Sequence, residues 1–247
     1  QRHEALRAHF SFAEGKLWRV IRRDHFKLAH IGGKSMAELI ERESQTPFNL
    51  AQGPLFRASL AKLAKNDYLL LITQHHLITD DWSTALLQQE LIALYAGRKL
   101  PPAQSLGAYT PPYDPLALQY WQTQLENADM LRLPLDKPRK DLQFSGQTLS
   151  VKLPKLLSAQ LNHFSRKQCV TLYTTVLAGF MLLLHRKSCQ NDIIIGTPTS
   201  CRTQMETEYL YGCLINLVAI RQVFSAKLTF ASLVAQLQKT VLAAYDA

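Results

Sequence analysis

Two periods of hydrophobic spacing run along this chain, and where each one holds decides the element predicted. Alternation or a short apolar run predicts a strand, whereas apolar residues three and four apart predict a helix. Residues 2–10 read as the end of a helix and 17–21 as a short strand. Ser35-Met36-Ala37-Glu38 is a capping box that opens a helix through about residue 43, because serine and glutamate can satisfy each other's nearby backbone donors. Phe48-Asn49-Leu50 and Gly53-Pro54-Leu55-Phe56 form a loop feeding a strand at 57–61. Asn66-Asp67 turns the chain into a partner strand at 68–74. Trp82, Leu86, Leu87, Glu90, Leu91, Leu94 and Tyr95 follow helical spacing, and Gly97 is placed to stop that helix.

Residues 100–113, rich in proline and glycine, predict a loop, and 119–127 a helix. Leu133-Pro134-Leu135-Asp136-Lys137-Pro138-Arg139 breaks regular structure, so the lobe boundary is set there, giving lobes of 1–138 and 139–247. The second half predicts a strand at 147–153, helices at 158–168 and 174–187, and a buried strand at 192–195 ended by Gly196-Thr197-Pro198. A further strand falls within 211–221, and a closing helix has Phe230, Leu233, Val234, Leu237 and Val241 on one face. The fold class is mixed α/β.

Composition narrows the function. With 247 residues, 47% hydrophobic and 19% charged, the chain is globular and long enough for one large domain or two lobes. Cys169, Cys189, Cys201 and Cys213 are far apart, which argues against a zinc site or a disulfide framework and fits a reducing, cytoplasmic compartment. The apolar run at 176–184 is too short to cross a bilayer and ends at His185-Arg186-Lys187. The net charge of +9 is scattered in small clusters at element ends, which argues against nucleic acid; an acidic protein or a phosphate-bearing ligand suits it. The chain opens Gln1-Arg2-His3-Glu4, with no initiator methionine or signal-peptide pattern, and reads as cut from something longer.

The chemistry concentrates in His75-His76-Leu77-Ile78-Thr79-Asp80-Asp81-Trp82-Ser83, between a predicted strand and a predicted helix. Histidine exchanges protons near neutral pH, so one at such a junction is a natural proton acceptor. Neighbouring side chains leaving a strand point in opposite directions, so one histidine of the pair faces a given cavity. His-Glu-x-x-His is absent, and no metal is expected. Asp80 is placed to act as a turn residue or to start the helix. Gly32-Gly33-Lys34-Ser35 fails as a phosphate loop because Leu28 stands where a glycine is required, and no G-x-S-x-G elbow occurs.

With these pieces in order, the chain resembles the condensation domain of nonribosomal peptide synthetases. Residues 2–10 are similar to R-H-E-x-L-R-x-x-F, and Phe48-Asn49-Leu50 with Gly53-Pro54-Leu55-Phe56-Arg57 to F-D-L-x-x-G-P-L-x-R. Residues 75–83 match H-H-x-x-x-D-G-W-S except at Asp81. Tyr120-Trp121 and residues 133–139 resemble the inter-lobe region; 192–202 and 211–221 resemble D-I-x-x-G-T-P-x-x-x-R and x-G-x-x-x-N-x-x-x-x-R. The tyrosine- and tryptophan-containing segment between Tyr109 and Tyr120 is abbreviated.

The resemblance implies a two-lobed fold like chloramphenicol acetyltransferase, each lobe a mixed sheet flanked by helices, here truncated at both ends. It implies an acyltransferase that joins a carrier-bound thioester donor to an amine acceptor, forming an amide. Phosphopantetheine arrives on carrier proteins and is not bound directly; the partners are those carriers and neighbouring adenylation domains, with no nucleic acid and no membrane. His76 takes a proton from the amine or holds the amine in line, and positioning tethered reactants alone supplies up to roughly 7–11 kcal/mol. His75 packs or hydrogen-bonds behind it. Asp80 pairs with an arginine of the early helix, carried over as Arg7. Trp82 packs under the loop, and Asn216 contacts substrate or pantetheine. Asp81 replaces the usual glycine; near a helix N-cap aspartate is acceptable, but its charge would hold a proton on His76 and weaken it as a base. A related coenzyme A-dependent or ester-forming transferase, and a catalytically silent module that recruits a partner protein, are the alternatives.

Overall fold

Short two-residue turns and one edge-tolerant strand set the architecture of a computed structural model in which residues 2–23, 26–32, 35–109, 114–137, 148–202 and 204–247 are described. By contacts the chain separates into two compact units, Gln1–Pro111 with Ser200–Ile215, and Pro112–Thr199 with Asn216–Ala247. The boundary expected at 138/139 falls at residues outside those described.

In the first unit, β1 (Ala8–Ala13) and β2 (Lys16–Ile21) form an antiparallel hairpin, paired from Ala8↔Ile21 to Ala13↔Lys16. Glu14 and Gly15 turn it with φ of 53° and 73°, the left-handed pair that matches strand twist in a two-residue hairpin. The helix expected to end within residues 2–10 is instead one 3-10 turn, Ala5–Arg7, because pairing with β2 claims Ala8 onward. β3 (Ala29–Ile31), β4 (Phe56–Ala64) and β5 (Asp67–Gln74) form a mixed sheet in that order, β3 parallel and β5 antiparallel to β4. α1 (Met36–Gln45) lies between β3 and β4, and the Ser35 hydroxyl accepts Glu38 N–H at 3.2 Å, as the capping box predicts.

α2 (Asp81–Tyr95) follows β5 through a 3-10 turn, His76–Ile78, and closes at Gly97 with φ of 73°. Its buried residues are Ser83, Leu87 and Glu90, whereas Trp82, Leu94 and Tyr95 of the expected apolar face are exposed. Ala5, Ala8, Leu55, Ile78, Leu87 and Tyr211 make this unit's core.

The second unit holds α3 (Pro115–Gln124), α4 (Lys155–Lys167), α5 (Leu172–Ser188), β6 (Asp192–Ser200), β7 (Ile215–Val223) and α6 (Phe230–Asp246). Among the described residues its sheet has two strands, β6 and β7, fewer than a mixed sheet requires. β6 runs past Gly196-Thr197-Pro198, where the sequence pattern ended it: in a two-stranded sheet each strand has an edge, and proline is tolerated there. Residues 148–153 form no strand; Leu149 and Val151 are exposed, so their alternation finds no partner among the described residues. α5 and α6 supply most of the core, with Ala178, Met181, Val234 and Leu237 fully enclosed.

Leu237→Ala is therefore expected to lower the stability of the second unit by roughly 2–5 kcal/mol, the cost of a core cavity. Urea unfolding followed by circular dichroism measures it, and a change below about 0.5 kcal/mol, typical of surface sites, would contradict the packing.

Candidate functional site

Asp80 stands at the centre of the site. It is the N-cap of α2, and its Oδ1 accepts Ser83 N–H at 2.7 Å. Its Oδ2 accepts Leu214 N–H at 3.0 Å, and Arg202 Nη2 donates to both oxygens at 3.2 and 3.1 Å. Both members of the ion pair have side chains 2% exposed. Arg202 also donates through Nη1 to the Thr207 and Leu210 carbonyls, at 2.6 and 2.7 Å, and through Nη2 to Ser83 Oγ at 2.9 Å. Ser83, fully buried, donates its hydroxyl to the Gly212 carbonyl at 2.8 Å and accepts Gly212 N–H at 3.0 Å. Burial alone would raise the Asp80 carboxyl. The Ser83 and Leu214 amides, then the Ser83 hydroxyl and Arg202, outweigh it and hold the group below its ordinary 3.8.

The arginine is not the one carried over by resemblance. Arg7 donates Nη1 to the Arg22 carbonyl at 2.6 Å, and Arg22 N–H bonds back to the Arg7 carbonyl at 2.9 Å. Asp80 already has its oxygens filled from Ser83 and from the 200–215 segment, so Arg202 takes the role assigned to Arg7. The terminal arginine of the 192–202 motif was the available signal in the sequence.

Trp82 does not pack under the loop. It is 51% exposed, and its indole donates to the Glu208 carbonyl at 2.8 Å. Asp81 is the first residue of α2 and exposed, where the helix N-terminus favours a carboxylate.

The two histidines lie just past β5, at the cap and first residue of the 3-10 turn, and differ in their surroundings. His75 N–H donates to the Leu55 carbonyl at 3.0 Å, and its Nδ1 accepts Leu77 N–H at 3.1 Å. Its ring meets the Phe48 edge with centroids 6.0 Å apart, and Arg57 lies over the same Phe48 ring at 3.9 Å. His75 is thus occupied locally. His76 is exposed, and the one polar side-chain contact described for it is Cys213 Sγ, 3.8 Å from Nδ1. Asn216 is exposed on β7 in the other unit, its Oδ1 accepting Leu217 N–H at 2.9 Å.

A second buried cluster went unread in the sequence. His3, 3% exposed, bonds Glu90 Oε2 through Nε2 at 2.6 Å and stacks on Tyr211 with centroids 4.8 Å apart. Arg2 Nε donates to Glu90 Oε1 at 2.9 Å. Burial would raise Glu90, but Arg2 and His3 together bring it below its ordinary 4.5. Tyr211, hydrogen-bonded to Thr79 and to Gln74, is pushed upward chiefly by burial. Arg2 and His3 thereby brace α2 well past its first turn. Among the described residues no cluster of three metal-ligating side chains occurs, and no single helix is long and apolar enough to cross a membrane.

The arrangement is a capped helix preceded by a loop that carries an exposed imidazole and is locked by a buried ion pair. The condensation domain family model matches residues 1–247, and the chain belongs to that family, the condensation domains of nonribosomal peptide synthetases. It is 36% identical over 272 residues to a linear gramicidin synthase of Brevibacillus parabrevis, an alignment covering 99% of this chain and 5% of that protein. In fold it matches a holo four-domain nonribosomal peptide synthetase bound to AMP and glycine, with TM-score 0.86 at 23% identity, over 99% of this chain and 20% of that one. It matches the X-domain from teicoplanin biosynthesis with TM-score 0.88 at 22% identity, over 99% of this chain and 60% of that one. The chain thus spans about a twentieth of its curated relative and three fifths of that X-domain chain.

Asp80→Asn keeps a capping oxygen but strips the charge facing Arg202, so it is expected to cost about 3–5 kcal/mol in denaturant unfolding, and Arg202→Met added to it to recover part of that loss. Asp80 and Glu90, both lower in the fold than in the unfolded chain, bind fewer protons folded. Their contribution is complete above about pH 5 and is lost as pH falls through 4.5 and 3.8 toward the folded values. Unfolding midpoints between about pH 3 and 6 should fall toward acid, less steeply in Glu90→Gln; a flat profile would contradict the assignment.

Proposed function

We propose that this chain is the part of an amide-forming acyltransferase that carries the reaction histidine. The observation that carries the reading is His76: exposed, next to a histidine bonded into the loop, on a segment whose far end is the enclosed Asp80. Its imidazole serves an amine acceptor by taking its proton or by holding it against a thioester carbonyl. Two tethered reactants gain most of their advantage from being held in line, so a modest base suffices. The substrates are a donor thioester and an amine, each delivered on the phosphopantetheine arm of a carrier protein, with adenylation domains as neighbours in the parent synthetase. Membership of the condensation family and similarity to a linear gramicidin synthase support this substrate class. Asn216, exposed on β7, is assigned to substrate or pantetheine.

The backbone supports activity despite the glycine replaced by Asp81. Asp80 caps the helix, Asp81 is helical, and neither position requires a left-handed conformation.

The test is His76→Ala in the parent synthetase, with amide product between two loaded carriers followed by mass spectrometry. Product formation is expected to drop by about 10²–10⁴-fold, the usual worth of a positioned acid–base group. His75→Ala should lose less, because its ring bonds the loop. Undiminished product from His76→Ala, or equal use of a coenzyme A thioester as donor, would overturn the reading.

A further inference from the structure

Cys213 faces His76 on a backbone that has no room to turn away. The residue before it, Gly212, is bonded through both N–H and C=O to Ser83 Oγ, at 3.0 and 2.8 Å. The residue after it, Leu214, gives its N–H to Asp80 Oδ2 at 3.0 Å and its carbonyl to Cys201 N–H at 2.9 Å. The thiol is thereby set against the imidazole, Sγ to Nδ1 3.8 Å, by the same acid that caps α2 and ends the His76 loop. It is only partly buried, and the imidazole is exposed, so a substrate can reach both. Of the other cysteines, Cys169 and Cys189 are exposed and Cys201 is half-buried, and no histidine contact is described for any of the three. Cys213 also falls at a position that the family motif leaves open, between the glycine and the asparagine.

A thiol beside an imidazole is the elementary unit of acyl transfer to sulfur, because the base takes the thiol proton as sulfur attacks. We infer that Cys213 is an acyl-accepting nucleophile activated by His76, and that its substrates are acyl thioesters. The inference draws its substrate class from the function proposed above. Sγ forms a bond to the thioester carbonyl carbon while its proton passes to His76 Nδ1. The carbon–sulfur bond to the donor thiol then breaks, and the leaving thiolate recovers that proton. One thioester is consumed and one, S-acyl-Cys213, is made, so no oxidant, reductant or further reactant enters. The acyl group is left beside the imidazole, ready to pass to a second nucleophile.

The experiment incubates the 247-residue chain with an aminoacyl thioester of N-acetylcysteamine and reads each cysteine peptide by mass spectrometry. Cys213 should gain a hydroxylamine-labile acyl group at least about tenfold faster than the exposed Cys169 and Cys189, as a positioned base provides. His76→Gln should bring Cys213 down to the rate of those two, which serve as internal controls, and Cys213→Ser should remove the adduct. Should His76→Gln fail to fold, the ranking of the cysteines in the unaltered chain still decides. Acylation of Cys169 or Cys189 as fast as Cys213, absence of an adduct on Cys213, or a Cys213 rate indifferent to a folded His76→Gln would overturn the inference. The adduct on Cys213 without amide product from the parent synthetase keeps this site and removes the amide-forming reading; amide product with Cys213 unlabelled does the reverse.

Discussion

One enclosed carboxylate, that of Asp80, ties together segments more than a hundred residues apart, and the site's geometry follows from it. Its partners are an amide one turn into α2, an amide at Leu214 and the guanidinium of Arg202. An ion pair this deeply buried contributes little net stability compared with apolar packing, since both charges lose their water. What it contributes is placement. A carboxylate that must satisfy three donors has few positions open to it, and each donor brings a segment along. The start of α2 becomes fixed, so the loop from His75 to Asp80 has both ends anchored, and His76 is presented within it, exposed. The run of residues on the far side, Gly212 to Leu214, is anchored by the same group, and Cys213 comes with it.

Three arginines of the matched motifs, Arg57, Arg202 and Arg221, share one physical job. Arg57 gathers the carbonyls of Glu43 and Thr46 at the end of α1 together with the Glu43 carboxylate. Arg202 gathers the carbonyls of Thr207 and Leu210 together with Asp80. Arg221 gathers those of Gln124 and Glu126, at and past the end of α3, together with Asp192 at the start of β6. Each planar guanidinium has five donors in a fixed fork, enough to hold a carboxylate and two backbone oxygens at once, which a lysine ammonium cannot do with the same geometry. Their recurrence in the sequence therefore marks joints of the framework.

These joints also divide what the sequence could show from what it could not. Helices with a sustained period were legible: α5 and α6 lie where predicted, and of the five residues on the expected face of α6, Leu233, Val234, Leu237 and Val241 are buried while Phe230 is exposed. So was the strand-turn-strand through Asn66-Asp67. Failures came where a distant segment decided the outcome. Residues 2–10 have helical spacing, but pairing with β2 makes Ala8 onward a strand. Trp82 has the size of a core residue, yet it is half exposed, with its indole bonded to the Glu208 carbonyl and the Arg202 guanidinium over its ring. The acid of the histidine motif was correctly read as paired, and its partner was misread, because periodicity says nothing about which of several arginines will cross 122 positions to reach it.

A framework held by joints also tolerates the residue replaced in the histidine motif. A glycine is indispensable where the backbone is left-handed or a Cβ has no space. Asp81 is helical and exposed, and the preceding residue does the capping, so the loop stands without that glycine. The residue that changes the chemistry around the imidazole is instead Cys213, on the opposite anchored segment and within contact of the ring. In this chain the departure visible in the motif sits at a capped helix start, while a position the motif leaves open sets a thiol beside the imidazole.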